Sequence, residues 1–429
     1  MKNALRFNLL LILFFSFIFA QKELKLIEEL KNVGQWKFNN FVITLNFEQP
    51  VDHNNPDGEK FTQRVFIKHV GFNKPVVLHN RGYYAYGRGA TELTRLLNCN
   101  EIEVEHRYFP PSIPNKINWK YLTVEQESAD LHAVVMFLKK YYTGKWINTG
   151  VSKGGQTSLF YRYHYPNDVD VTVAYVAPVN KEIEDHRISP FIEDSISTPE
   201  ARKKIHDLQI AFLDRHDELI PMVKEDLRKK NDKINGDFNI AYEHAVLEFS
   251  FAWWQYKNGD YKSLPNPDAS TKELYKVFKG SLDFFGKKSV DRLKAFNYQA
   301  YTQMGFYGYN TESFKGHLKY VKGDFASNMQ FFIQKDWDIH FDDKAVKGLA
   351  NWIANDAENV ICIYGGFDPW SATRAKFSGK TNSFAVLMPG GNHSTNIASL
   401  DKERQEKVLF ALEKWLNVKI DRRRLKRRR

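Results

Sequence analysis

At 429 residues, 43% hydrophobic and 15% aromatic, with 24 glycines and 15 prolines, the chain can bury a large core of its own. That composition excludes collagen-like, low-complexity and disordered classes, and two cysteines allow one bridge at most, which excludes a disulfide-built scaffold. The net charge of +11 sits at the ends: eight Lys or Arg residues against one Asp in 419–429 supply seven charges, and Lys2 and Arg6 two more, so the body is nearly neutral and calls for no nucleic acid.

Lys2 and Arg6 precede an apolar stretch over 8–19, and Ala20 offers a small residue before the polar Gln21-Lys22-Glu23. This is the layout of a secretory signal, so residues 1–20 are expected to be removed and the mature chain to be secreted or periplasmic. No second stretch approaches the roughly 20 apolar residues of a membrane span.

From residue 41 strand-like and helix-like stretches alternate. Residues 41–47 and 63–70 predict two antiparallel strands joined by a turn-rich connection at 52–58. Residues 75–79 form a short apolar strand that runs into a glycine-rich loop at 82–89, followed by a helix over 90–97 and a strand over 101–105. A strong amphipathic helix spans 123–141, then strand 146–151, helix 153–164 and strand 170–176. Helix-rich, charged sequence with aromatic clusters replaces the alternation between 180 and 348. Strands at 360–364 and 384–388 resume it, and a helix over 401–416 closes the body. The expected architecture is α/β: a mostly parallel sheet with two N-terminal antiparallel strands, built from 21–179 and 349–417 and interrupted by a large helical cap at 180–348. Residues 418–429 read as a basic, unstructured tail open to polyanions or anionic surfaces. Cys99 and Cys362, in or beside apolar strand-like runs, read as buried thiols.

Gly150-Val151-Ser152-Lys153-Gly154 is a Gly-x-Ser-x-Gly run between an apolar strand and a helix. Small flanking residues let a tight strand-to-helix turn expose the serine hydroxyl, and the following helix N-terminus favours developing negative charge. The alternative is a helix cap at Ser152 beside a coincidental glycine pair. A serine nucleophile needs a histidine base and an acid to orient it. Two later positions fit, each after a strand and a glycine pair: Asp368 in Gly365-Gly366-Phe367-Asp368 and His393 in Gly390-Gly391-Asn392-His393. The oxyanion would take the backbone N–H of Lys153 and one from the loop after 75–79, at Gly82 or Tyr83. Gly87-Arg88-Gly89 does not complete a dinucleotide fingerprint, because Glu92 stands at the sixth position. No phosphate-loop or His-Glu-x-x-His motif occurs, so neither cofactor nor metal is expected.

Several further runs carry a resemblance: Phe47-Glu48-Gln49-Pro50-Val51-Asp52-His53, Glu105-His106-Arg107-Tyr108, Leu122-Thr123-Val124-Glu125-Gln126, Gly150-Val151-Ser152-Lys153-Gly154-Gly155 and Gly366-Phe367-Asp368-Pro369-Trp370-Ser371. Within the insertion, Asn297-Tyr298-Gln299-Ala300-Tyr301-Thr302-Gln303 joins them. Together they resemble the secreted bacterial tripeptidyl aminopeptidases, relatives of lysosomal Pro-X carboxypeptidase and dipeptidyl peptidase II. The resemblance implies an α/β-hydrolase fold with a helical cap, and triad roles for Ser152, Asp368 and His393. It also implies substrate contacts from the cap segment, with Gln299 and Gln303 as candidates beside Glu105. The lysosomal relatives carry Cys-Thr-Glu where this chain has Tyr301-Thr302-Gln303, and their several disulfides are missing, which favours the bacterial branch.

The function so implied is a secreted serine exopeptidase that releases short peptides, tripeptides above all, from free N-termini through an acyl-enzyme. A substrate ammonium would need a carboxylate partner, and Glu243, Glu248 and Asp260 are equivalent on sequence grounds. The aromatic cluster at 249–256 reads either as cap core or as the lining of an apolar subsite, and Glu105 either as a substrate contact or as the ion-pair partner of Arg107. Three other functions stay open at this level: an esterase or lipase on the same fold, a proline-selective exopeptidase, and a binding protein working through its basic tail.

Overall fold

The computed structural model describes residues 28, 34–39, 42–257 and 259–425. The expected signal at 1–20 and the last four tail residues, 426–429, lie outside the described residues.

The first half of the chain lays down β1 (Gly34–Asn39), β2 (Val42–Pro50), β3 (Lys60–Lys68), β4 (Val76–Asn80), α1 (Glu92–Leu97), β5 (Asn100–Val104), α2 (Val124–Leu138), β6 (Trp146–Val151), α3 (Lys153–His164) and β7 (Val171–Tyr175). A long helical segment follows, including α4 (Pro199–Asp214), α5 (His216–Lys229), α6 (Phe238–Tyr256) and α7 (Thr271–Phe278). Then come α8 (Asp343–Asn355), β8 (Val360–Gly365), β9 (Phe384–Met388) and α9 (Lys402–Leu416).

The nine strands form one sheet in the order β1-β2-β3-β5-β4-β6-β7-β8-β9. β1, β2, β3 and β5 pair antiparallel in succession, and every pair from β5 to β9 is parallel. β4 to β8 are buried on both faces along nearly their whole length, as parallel strands under crossover helices must be, although β5 carries Asn100, Glu101 and Glu103 beside Ile102 and Val104, whereas β2 alternates buried and part-exposed positions. The two expected antiparallel strands are β2 and β3, and β1, absent from the sequence reading, adds a third at the edge.

One face of the sheet packs Leu78, Ile102 and Val104 against Leu131, Val135 and Leu138 of α2. The other packs Val77, Ile147 and Val173 against α1 and α9, whose Leu409, Leu412 and Leu416 are buried. Helix starts are chemically marked: the Thr123 side chain accepts from Gln126 N–H ahead of α2, and Asp401 accepts from Arg404 N–H ahead of α9. Strand order, parallel register and a helix launched from β6 make this an α/β-hydrolase fold.

The segment between β7 and α8 builds its own aromatic-rich cluster, from Ile188 to Phe332. Two boundaries differ from the sequence reading. Helix α8 begins before the expected end of the insertion at 348 and buries Val346, Leu349 and Ile353 against Val360, Cys362 and Tyr364, so it packs on the sheet. The tail expected to be unstructured from 418 is docked as far as 425: Ile420 is buried beside α9, and the Arg422 guanidinium pairs with Glu406 at 3.1 Å and with Glu413. Those pairs neutralise basic charge that composition assigned to a free appendage. Cys99 and Cys362 are buried free thiols, and no helix among the described residues is long and apolar enough to cross a membrane.

Candidate active site

Ser152 sits between β6 and α3 with φ 57° and ψ −125°, left-handed backbone that a non-glycine residue adopts at a cost of roughly 1–3 kcal/mol. The turn is tight because Gly150 lets it be: a Cβ there would lie 2.1 Å from the carbonyl oxygen of Gly154. Ser152 N–H donates to the Tyr175 carbonyl at 2.9 Å, which ties the elbow to the end of β7. The Ser152 side chain makes no capping hydrogen bond to α3. Ser152 thus holds the N-cap position without using its hydroxyl as the cap.

Asp368 follows β8 and His393 follows β9. The two loops are laced by Gly366 N–H to the Met388 carbonyl (2.8 Å) and Phe367 N–H to the Gly391 carbonyl (2.7 Å). Asp368 is fully buried; its Oδ1 accepts from Trp370 N–H at 3.2 Å and its Oδ2 lies 2.7 Å from His393 Nδ1. A carboxylate is an acceptor only, so Nδ1 carries the hydrogen in that contact and Nε2 is left to take a proton. Ser152 and His393 line one cavity of about 550 Å³.

Gly82, with φ +70°, brings the loop after β4 onto the first turn of α3: a Cβ at Gly82 would lie 2.5 Å from Gly154 N. Tyr83 and Lys153 line the cavity with Ser152. The Lys153 side chain is buried, its Nζ has no hydrogen-bond partner among the described residues and stands 5.9 Å from the centre of the Tyr83 ring. Burial pushes the pKa of this ammonium down to about 8 against the pull of Glu127. Burial acts to raise Glu127 in turn, but the charges of His106 and Lys153 more than offset it and hold that carboxyl at about 2.

The three candidate substrate contacts lie elsewhere. Glu105 is fully buried and accepts from Arg64 at 2.6 Å, Ala85 N–H at 3.0 Å and Ser112 Oγ at 2.7 Å, so it anchors the loop after β4. Its supposed pairing with Arg107 is replaced by a bidentate pair of Arg107 with Asp130, at 2.7 and 2.8 Å. Gln299 donates to Glu127 at 3.2 Å, and Gln303 accepts from Val124 N–H at 2.8 Å, so both tie the helical segment to α2. None of the three lines the cavity.

Sequence reasoning could not choose among the acids, and the structure separates them. Glu243 accepts from the backbone N–H groups of Lys319, Tyr320 and Val321, and Asp260 is exposed. Glu248 lines the cavity from α6, on one helical face with Phe251, Ala252 and Gln255. It is 6% exposed; Oε2 accepts from Tyr307 Oη at 3.0 Å and Tyr309 Oη at 2.7 Å. Burial pushes its pKa up to about 8, the two tyrosine bonds pulling the other way. The signal that could have singled it out is an acid inside the apolar run Val246-Leu247-Glu248-Phe249. The aromatic cluster at 249–256 serves both expected purposes: Phe249 packs on Phe212 in the core, and Phe251 and Tyr256 face the cavity. Outside the cavity, His79, Glu101 and Glu103 gather within 4.8 Å, but Lys68, Thr91 and Thr94 occupy Glu101, while Gly87 N–H and Arg81 occupy Glu103.

Residues 17–423 match the sequence profile of PS-10 peptidase S37. The chain is 32% identical over 387 residues to a prolyl tri/tetrapeptidyl aminopeptidase of Streptomyces mobaraensis, covering 88% of this chain and 80% of that one. It is 24% identical to prolyl carboxy peptidase like protein 5 of Caenorhabditis elegans, covering 76% and 79%. Among solved structures it is similar to a proline iminopeptidase of Mycobacterium smegmatis, at 13% identity and TM-score 0.41 over 83% of this chain and 95% of that one. It is also similar to an α/β-fold hydrolase of Bacillus anthracis, at 15% identity and TM-score 0.39 over 89% and 98%. With the profile spanning nearly the whole chain, this protein is a serine peptidase and belongs to the PS-10 peptidase S37 family.

Proposed function

We propose that the chain is an exported exopeptidase that removes short peptides, tripeptides above all, from free N-termini, with Ser152 as nucleophile, His393 as base and Asp368 as its orienting acid. The observation that carries this reading is the 2.7 Å contact of Asp368 with His393 Nδ1, in a cavity that the strained Ser152 also enters. Asp368 holds the ring so that Nε2 takes the Ser152 proton as the hydroxyl attacks the scissile carbonyl. The oxyanion meets the N–H of Lys153 at the start of α3 and a backbone donor from the Gly82–Tyr83 loop. The tetrahedral intermediate collapses as His393 returns the proton to the leaving amine, and water then frees the acyl-enzyme by the same route. Action from the amino end is supported by the name of the Streptomyces relative, and export by the basic and apolar pattern of residues 1–20.

Proline before the scissile bond is a second reading, favoured by that relative's name and by the aromatic walls Phe296, Phe306 and Trp370, flat apolar surfaces suited to a pyrrolidine ring. One panel tests both: unblocked di-, tri- and tetrapeptide p-nitroanilides, with proline or alanine last, against the wild type and Ser152→Ala. A tripeptide optimum that the alanine variant loses by roughly 10⁴–10⁶-fold in kcat is expected. Retained activity in that variant would remove Ser152 from its role.

A further inference from the structure

We infer that Glu248 is the receptor for the substrate's α-ammonium group, an inference that rests on the exopeptidase reading above and names the group that makes it selective. Among the described residues lining the cavity, Glu248 is the one carboxylate, and Arg81, Lys153 and Arg292 are cations that repel an ammonium. Both of its tyrosine bonds fall on Oε2, and Oε1 has no protein donor among the described residues. Glu248 forms no ion pair among the described residues, although it is only 6% exposed. A buried carboxyl with no cation beside it keeps its proton, and a cation entering the cavity lets it ionise. An ammonium supplies one, donating to Oε1 while Tyr307 and Tyr309 fix the carboxylate from the other side.

The distances along α6 also suit the task. Glu248 and Gln255 are seven residues apart, about 10 Å along the helix axis, and the Gln255 carbonyl accepts from His393 N–H at 3.0 Å. Three extended residues span about 10 Å as well. One rigid helix thus holds the ammonium anchor and the histidine loop at a spacing matched to a tripeptide. The raised pKa of Glu248 agrees with this role, since an incoming ammonium would draw the carboxyl back to its ionised form.

The test compares unblocked and N-acetylated forms of one tripeptide p-nitroanilide on the wild type, Glu248→Gln and Glu248→Asp, with a neutral fluorophosphonate as an independent probe of Ser152. The wild type is expected to prefer the free peptide by more than 10²-fold in kcat/KM. Glu248→Gln should lose 10²–10³-fold on the free peptide, chiefly through KM, with the preference falling below tenfold while fluorophosphonate labelling persists. A Glu248→Gln enzyme that labels and keeps the full preference overturns the inference and leaves the exopeptidase reading intact. A wild type indifferent to acetylation sinks the exopeptidase reading, and this inference with it. Should Glu248→Gln fail to label, Glu248→Asp decides, because withdrawing the carboxylate by one methylene must cut the preference at least tenfold; an unchanged preference counts against the assignment.

Discussion

The backbone N–H of His393 donates to the carbonyl of Gln255 at 3.0 Å, across more than a hundred residues of sequence. Gln255 lies in the last turn of α6, where helix carbonyls have no partner within the helix. The histidine loop fills that need, and the helical segment positions the histidine in return. A second tie runs from Asn392 Nδ2 to the Lys257 carbonyl at 3.4 Å, and Asn392 Oδ1 accepts from Ser394 N–H at 2.9 Å.

Asn392→Ala cuts that second tie and the local turn while leaving every group of the proposed triad in place. The expected result is a fall in kcat of about tenfold, the equivalent of one or two lost hydrogen bonds, with KM little changed. Steady-state kinetics on an unblocked tripeptide p-nitroanilide measures both.

Lys153 places a cost on the native state that depends on pH. Unfolded, its ammonium keeps a proton up to the ordinary 10.5; folded, it releases it at about 8. Below pH 8 the native protein carries the full penalty of the buried charge, and stability recovers as pH rises from 8 toward 10.5. Lys153→Met should therefore stabilise the protein by roughly 1–3 kcal/mol at pH 7, with the gain shrinking by pH 10. Urea unfolding at the two pH values checks the sign.

Glu248 is a raised carboxyl, so its slope runs the other way with a similar consequence. Facing Tyr307, Tyr309 and Tyr256, it holds a proton up to about 8, whereas the unfolded side chain ionises near the ordinary 4.5. The native state is thus unpenalised at low pH and loses stability as pH climbs between those values. Glu248→Gln should match the wild type near pH 4.5 and exceed it by on the order of 3 kcal/mol at pH 7, in thermal or urea unfolding.

Asp130 is the opposite case, a buried charge fully used. It takes Arg107 through two bonds and His53 Nε2 at 2.7 Å, and both Asp130 and Arg107 are fully buried. Asp130→Ala leaves the guanidinium with the carbonyls of Pro50, Val51 and Tyr121 and the face of the Phe61 ring, but no carboxylate partner among the described residues. A loss of about 3–5 kcal/mol is expected, read as a lower urea midpoint.

Much of the frame was legible from local pattern. β6, α3 and β9 begin and end where periodicity placed them, and β8 runs one residue further. That Asp368 and His393 stand in the loops after β8 and β9 was legible, because each follows a strand and a glycine pair within a few residues. β1 escaped because a short strand at the sheet edge carries little apolar signal. Where the insertion ends was not legible, because α8 has the same amphipathic period whichever neighbour it packs on. Several of the runs that carried the family resemblance prove to be scaffold: Asp52 and His53 bond to Gln126, and Arg107 to Val51 and Tyr121.

Composition and spacing by themselves determined the alternation of strand and helix, the small residues of the serine elbow and the glycine pairs ahead of Asp368 and His393, since each depends on groups close together along the chain. Only the tertiary structure decided which charges are answered. Glu105 is satisfied by Arg64, 41 residues away, and Asp130 by Arg107, 23 away, whereas Glu248 meets two tyrosines 59 and 61 residues on and, among the described residues, no cation. Desolvation is set by whatever distant segments close over a group, and nothing in the local run of residues encodes which those will be.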